Sequence, residues 1–352
     1  MIPLAKKTLV ILSPGFPSSE ADSTCLPAQQ VFVNTLKQTY SSLNIILLAF
    51  QYPFIARTYT WKGVRIISFN GQNRGKLSRL LLWRRVRQVL ITLERENDIA
   101  GILSFWLGEC AYIGSWFSKK YNLKHFIWLF GQDARIGNKF FKLSGPKSGE
   151  LIAISDFIAK EFSENYSITP AFIIPLGIDP ALFCKNTKEK NIDIIGAGSL
   201  IKLKQYDVFI DVIKLLTVEY PNLTVYICGD GPEKESLLRK IHNEDLGGTV
   251  ILTGEVPHME LLKLLQHSRI FLHTSNYEGF STVCLEALYA GSPVVSFIKP
   301  MNTLPANFFI AKDTGEMATI IQSLLAKDRP RESLLPYPAE ETVRQIKHLF
   351  GV

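Results

Sequence analysis

At 352 residues, 47% of them hydrophobic, the chain is long enough to bury two cores of ordinary domain size and too apolar to be disordered. No apolar run reaches the roughly 18 residues of a membrane-spanning helix, and MIPLAKKTLVILS reads as a first buried strand rather than a signal peptide, so a cytoplasmic protein is expected. Five cysteines without a CxxC pair argue against a disulfide framework, and six scattered histidines argue against a His/Cys metal centre.

The net charge of +7 is unevenly shared, with 23 basic against 12 acidic residues through Lys188 and 16 against 20 beyond it. A field of one sign over the first half attracts anionic partners: a membrane, an acidic glycan or nucleic acid. Nucleic acid is not expected, because no recognisable nucleic-acid module accompanies the charge.

In chain order, a strand is predicted at 8–13, running into the turn Pro14-Gly15-Phe16-Pro17, with a helix at 26–40. Strands follow at 45–49 and 64–68. Residues 71–93 carry Arg74, Lys76, Arg79, Arg84, Arg85 and Arg87 with no acidic residue, interleaved with Leu77, Leu80, Leu81, Leu82, Trp83, Val86, Val89 and Leu90. That spacing predicts an amphipathic helix. Its arginines Arg79, Arg84, Arg85 and Arg87 are the expected contacts to an anionic membrane, unless the helix packs its apolar side on the domain and leaves them in water.

Strands at 100–105 and 124–130 flank a helix at 109–121, and the second ends in Gly131-Gln132-Asp133. A short strand at 151–155 leads through Ser155, a plausible N-cap, into a helix from Asp156. The stretch 184–191 (CKNTKEKN) has the composition of a linker. Beyond it, a strand at 192–195 meets Gly196-Ala197-Gly198-Ser199, but Ile201 stands where a dinucleotide fingerprint needs its third glycine. Strands at 224–229 and 250–253 then alternate with helices at 233–241 and 261–267. The turns that follow these strands are Gly229-Asp230-Gly231-Pro232 and Gly254-Glu255-Val256-Pro257. A short strand at 307–310 and a helix at 339–349 complete the alternation.

The most informative stretch is 275–295, SNYEGFSTVCLEALYAGSPVV. It follows the apolar run Ile270-Phe271-Leu272 and opens a helix near Phe280, with Ser281 and Thr282 at its start. Gly279 lets a ligand approach the backbone, and the free amides of a helix start suit a phosphate. Glu278 in the turn and Glu286 in the helix add carboxylates, which repel phosphate but accept hydrogen bonds from hydroxyls. Sugar hydroxyls and a diphosphate together describe a nucleotide-sugar.

Glu278-x7-Glu286, with EGF before it and AGSPVV after it, resembles the signature of family 4 retaining glycosyltransferases (glycosyl transferases group 1). Gly198, Leu200, Lys204, Asp207 and Ile210 fall in step with the family's second-domain motif, and Gly177, Asp179 and Phe183 with its exit from the first domain. The resemblance implies an α/β protein of the GT-B fold, two Rossmann-like doubly wound domains facing a cleft. The expected boundaries are an acceptor domain at 1–183, a linker at 184–191, a donor domain at 192–335 and a terminal helix at 336–352 crossing back to the first domain.

By the same resemblance, the donor is held by Gly15, Ser199, Lys204, Gly229, Val256, Glu278, Gly279, Phe280, Ser281, Thr282 and Glu286. Glu278 and Asp133 are the expected catalytic residues. Two positions depart from the family: Ser199 replaces an arginine that neutralises the diphosphate, and Phe130 replaces a histidine of the active cleft. No Asp-x-Asp occurs, and neither metal nor cofactor is expected.

The implied function is retaining, nucleotide-sugar-dependent glycosyl (hexosyl) transfer to a glycan or lipid-linked acceptor in bacterial surface polysaccharide biosynthesis. The enzyme would be cytoplasmic and peripheral on the inner face of the membrane. Two alternatives stand beside it: a catalytically inactive homologue that only binds nucleotide-sugar, and a nicotinamide-dependent dehydrogenase, which would also be doubly wound but lacks its glycine fingerprint here.

Overall fold

The structure is a computed structural model that describes residues 6–184, 189–327 and 332–352. The chain divides into two compact units, one of Met1–Gly177 with Ala339–Val352 and one of Ile178–Pro338. The first boundary thus falls at 177 rather than 183. Backbone pairing explains the shift: Ile178 donates its N–H to Tyr337 and bridges to Pro338, both in the second unit. Half of the linker expected at 184–191, residues 185–188, lies outside the described residues.

The first unit runs β1 (Lys7–Gly15), α1 (Pro27–Thr39), β2 (Asn44–Tyr52), β3 (Arg57–Trp61), β4 (Val64–Ser68), α2 (Lys76–Glu96) and β5 (Asp98–Phe105). It continues with α3 (Glu109–Tyr121), β6 (Lys124–Leu129), α4 (Lys139–Ser144), β7 (Leu151–Ala153), α5 (Asp156–Tyr166) and β8 (Phe172–Ile173). The sheet order is β3-β4-β2-β1-β5-β6-β7-β8, parallel except for the β3–β4 hairpin. Helices cover both faces of a parallel sheet, so its central strands are continuous apolar runs. Leu9, Val10, Ile11 and Leu12 are fully buried for that reason.

The helix predicted at 71–93 is α2, and its core stripe is Leu82, Val86, Leu90 and Leu93. Each of these is worth about 1.5–3 kcal/mol of burial, which fixes the helix on the sheet. Two of the four arginines assigned to a membrane turn inward instead. Arg79 Nε pairs with Glu109 Oε1 at 2.7 Å, and the Arg87 guanidinium lies 4.6 Å from the centroid of the Trp116 ring. Both partners sit on α3, where desolvated contact is worth more than a place in water. Arg84 and Arg85 stay exposed, as do Leu77, Leu80 and Leu81. No helix among the described residues is long and apolar enough to cross a membrane.

The second unit runs β9 (Ile192–Ala197), α6 (Tyr206–Thr217), β10 (Val225–Cys228), α7 (Lys234–Asn243), β11 (Val250–Gly254) and α8 (His258–Gln266). After these come β12 (Ser268–His273), α9 (Thr282–Tyr289), β13 (Val294–Ser296), β14 (Phe308–Ile310) and α10 (Thr314–Leu325). All six strands are parallel, in the order β11-β10-β9-β12-β13-β14. Phe209, Ile213 and Leu216 of α6 meet Met317 and Ile321 of α10 in its core. The final helix, α11 (Ala339–Phe350), belongs to the first unit. There Phe350 packs on Phe126 with ring centroids 5.0 Å apart, and Lys347 lies over the Tyr40 ring.

Candidate active site in the second unit

The order of the second sheet reverses beside β9: β10 pairs on one side of it and β12 on the other. Open α/β sheets bind ligands at the carboxyl ends of strands flanking such a point. Three loops converge there.

The loops after β9 and β10 touch through bare backbone. Gly198 donates its N–H to Cys228 O at 2.9 Å, and Leu200 donates to Asp230 O at 2.9 Å. A Cβ on Gly229 would stand 2.0 Å from Gly198 O, and one on Gly231 would stand 2.5 Å from Leu200 O. Both residues have positive φ, near 150° and 159°, so only glycine fits. The loop after β12 is tied in by Thr274 Oγ1, which donates to the carbonyls of Lys204 and Gln205 within 3.0 Å.

That tie brings Lys204 onto Glu278 in a direct ion pair between side chains that are both largely buried. Burial alone would raise the Glu278 pKa. The Lys204 ammonium outweighs it, with further help from the Gly279 N–H, and holds the carboxyl below its usual range. Glu278 is therefore an anion at neutral pH. His273 lies buried behind the pair, between Ser275 Oγ at 3.1 Å and Ser296 Oγ at 3.0 Å. Burial, with Lys204 second, pushes it down to about 4, so it stands neutral. The recess it shares with Glu278 and Cys284 encloses about 10 Å³, room for one water and not for a sugar.

Gly279 and Phe280 are buried, with Phe280 against Phe308 and Tyr337. Ser281 is the N-cap of α9 but its side chain caps nothing. The Cys284 N–H donates to Ser281 O at 3.1 Å, and no side chain caps the start of α9, where the helix dipole favours an anion.

Glu286 occupies the buried side of α9, and His258 Nε2 lies 2.7 Å from its Oε1. Burial lowers the pKa of His258, but its hydrogen bond to Glu286 and that carboxylate's charge outweigh the loss, and the net shift is upward. His258 opens α8, two residues after Val256. The sequence held no local signal for this partnership, because 28 positions separate the two residues.

Thus Lys204, Gly229, Val256, 278–282 and Glu286 all lie on the loops and helix start at the carboxyl edge of this sheet. Ser199 is there too, exposed and uncharged. Gly15 and Asp133 belong to the first unit. Gly15 ends β1, buried against Tyr52. Asp133 does not present a carboxylate to solvent: it is 4% exposed and accepts the Phe130 N–H at 2.9 Å. Burial pushes it up to about 7, and the Phe130 and Leu107 amides hold it from rising further. Through that bond it organises its own turn. Phe130 packs on Trp106, ring centroids 4.4 Å apart, in an apolar contact where the family has a histidine. Burial also raises the Cys110, Cys228 and Cys284 thiols, so none of them is a thiolate nucleophile at neutral pH.

Residues 180–304 match the family model for glycosyl transferases group 1. That match covers most of the second unit. The group 1 match spans β9 to β13 and includes every second-unit loop described above. The chain is 29% identical over 211 residues to the 2-deoxystreptamine N-acetyl-D-glucosaminyltransferase of Niallia circulans, covering 56% of this chain and 50% of the relative. It is 26% identical over 175 residues to GtfA of the UDP-N-acetylglucosamine–peptide N-acetylglucosaminyltransferase of Streptococcus parasanguinis, covering 49% and 33%. The chain therefore spans half or less of these relatives' length.

Among solved structures, an Anabaena protein (Alr3699/HepE) in complex with UDP and glucose superposes with a TM-score of 0.72 at 16% identity, over 99% of this chain and 100% of that one. Likeness at that identity establishes the fold. It is GT-B, and its second half is the part that matches the group 1 model.

Proposed function

We propose that the chain is a retaining glycosyltransferase that moves a sugar from a nucleoside-diphosphate sugar to a glycan or lipid-linked acceptor. One observation carries the reading: Lys204 and Glu278, 74 positions apart, meet beside the uncapped start of α9. A cation, a row of amides and a carboxylate in one place match a diphosphate joined to a hydroxyl-bearing ring. Lys204 and the α9 amides stabilise the charge that develops on the leaving diphosphate. Glu278 accepts from sugar hydroxyls, and Glu286, oriented by His258, accepts from the ribose. In a retaining front-face transfer the acceptor oxygen bonds the anomeric carbon as the bond to phosphate breaks, and the departing phosphate takes the acceptor's proton. Charge neutralisation is assigned to Lys204 and the helix start rather than to a metal.

The relatives named for N-acetylglucosamine transfer, and the structure containing UDP and glucose, make UDP-N-acetylglucosamine and UDP-glucose the first donors to try. In a panel of UDP-, GDP-, ADP- and TDP-sugars, one UDP-sugar is expected to raise the melting temperature of the wild type and not of Glu286→Ala. At one hundred times Kd the gain is about 2.7 kcal/mol. Slow hydrolysis of the same donor separates an enzyme from an inactive binder. A folded protein shifted by none of them would remove the basis of the reading.

The acceptor is assigned to an anionic membrane surface, as for a lipid-linked precursor of bacterial surface polysaccharide. On α2, exposed Leu77, Leu80 and Leu81 lie beside exposed Arg84 and Arg85. Co-sedimentation is expected with vesicles of phosphatidylglycerol and phosphatidylcholine, and not with phosphatidylcholine alone. Each arginine near the surface is worth about 1 kcal/mol, so Arg84→Ala with Arg85→Ala should weaken binding roughly 30-fold. Equal affinity for both vesicles would overturn the electrostatic part of the proposal, and no affinity for either would overturn all of it.

A further inference from the structure

A recess of about 140 Å³ opens within the first unit at the carboxyl ends of β1, β2 and β5, lined by Pro14, Phe50, Gln51, Phe105, Trp106 and Glu109 among others. It lies where this sheet reverses its order, since β1 is flanked by β2 and β5.

Two features mark the recess as built for a ligand. Trp106 is held at φ 64°, a left-handed conformation that bulky side chains rarely adopt. Its N–H donates to Trp128 O at 3.0 Å, and its ring is fixed against Phe130. The polar wall is oriented in advance. Gln51 Nε2 donates to Glu109 Oε2 at 2.9 Å, the Asn73 N–H donates to Gln51 Oε1 at 2.8 Å, and Arg79 holds the other Glu109 oxygen.

These groups define the ligand's chemistry. Arg79 balances the charge of Glu109, so the recess offers no net attraction to a free ion of either sign. A carboxylate has about four lone-pair positions, which leaves Glu109 able to accept from hydroxyls. Pro14, Phe50, Phe105 and Trp106 supply an apolar wall for carbon. In size, a cavity of roughly 150 Å³ takes one benzene ring, so the recess takes one six-membered ring.

We propose that the recess is a saccharide subsite holding one uncharged pyranose of the acceptor, its hydroxyls read by Glu109 and Gln51 and its carbon face set against Trp106. The word acceptor rests on the transferase reading; the binding itself does not.

The test is saturation-transfer NMR on the full chain with the methyl glycosides of glucose, N-acetylglucosamine, mannose and glucuronic acid. At least one neutral glycoside is expected to bind, and the glucuronide is not. Glu109→Gln should weaken binding about tenfold, the scale of a hydrogen bond to a charged group. Should that variant fold poorly, Trp106→Phe provides the second arm: it keeps an aromatic ring, should bind more weakly than wild type, and should abolish any sugar-induced change in tryptophan fluorescence.

If no neutral glycoside binds, or if Glu109→Gln and Trp106→Phe both bind unchanged, the subsite is overturned. Loss of glycoside binding with the UDP-sugar melting shift intact would sink the subsite and leave the transferase reading standing. Glycoside binding with no nucleotide-sugar shift would do the reverse.

Discussion

Replacing Glu278 by glutamine should lower kcat roughly 100- to 1000-fold, the loss typical of removing one group that stabilises a transition state. The donor should bind as well as before, or more tightly. The substitution keeps the side chain's shape but removes the charge that neutralises Lys204. The freed ammonium then has the donor diphosphate as its only strong anion. Binding and chemistry therefore move in different directions, which a merely structural glutamate would not produce. Lys204→Met should show the opposite pattern. It leaves Glu278 beside the phosphates without a counter-charge, so the donor KM rises and melting shifts by nucleotide-sugars shrink. Steady-state kinetics on both variants, with the donor found by the panel, make the comparison. A Glu278→Gln enzyme with raised KM and unchanged kcat would mean that Glu278 binds ground state and transition state alike, and would remove it from the catalytic step.

Gly229→Ala should cost the second unit about 3–5 kcal/mol, the sum of a forbidden backbone conformation and an overpacked contact. The added methyl would stand 2.0 Å from Gly198 O. A backbone atom cannot swing aside as a flexible side chain can, so both loops would have to part. A loss of that size is a large share of the 5–15 kcal/mol that holds a typical domain together. Gly248→Ala is the control, because a Cβ there meets nothing within 4 Å. It should fall within about 0.5 kcal/mol of wild type. Denaturant unfolding followed on the second unit measures both. An equal, small effect at the two positions would show that the loops yield, and that their close approach does not shape the site.

The elements legible in the sequence were those whose burial leaves a continuous apolar run. Residues 9–12, 192–195 and 270–272 became central parallel strands because helices cover both sheet faces. Residues 278–286 were legible because strand end, turn and helix start follow one another in the chain. What escaped was non-local or half-polar. β3 was missed because RTYTW at a sheet edge exposes most of its side chains and reads as a loop. α10 lacked a strong charge contrast between its faces. The pairing of His258 with Glu286 has no local signature. The same holds for Arg79 and Arg87, whose partners wait on α3. Spacing along one helix identified an arginine-rich face, but only the neighbouring helix decides which arginines stay in water.

Because α11 completes the first unit after the whole of the second has been made, this chain cannot finish its halves in the order in which it is synthesised. Domains generally fold as units while the ribosome is still working. Here the amino-terminal half must wait, with the places taken by Phe350 against Phe126 and by Lys347 over Tyr40 still uncovered. The second unit lies between the two segments of the first in the chain and can close first. Topologically it is an insertion in its neighbour rather than a successor to it. A fragment cut at Gly177 is thus an unfinished domain, and a stop codon just before Ala339 would injure the half of the molecule encoded earliest.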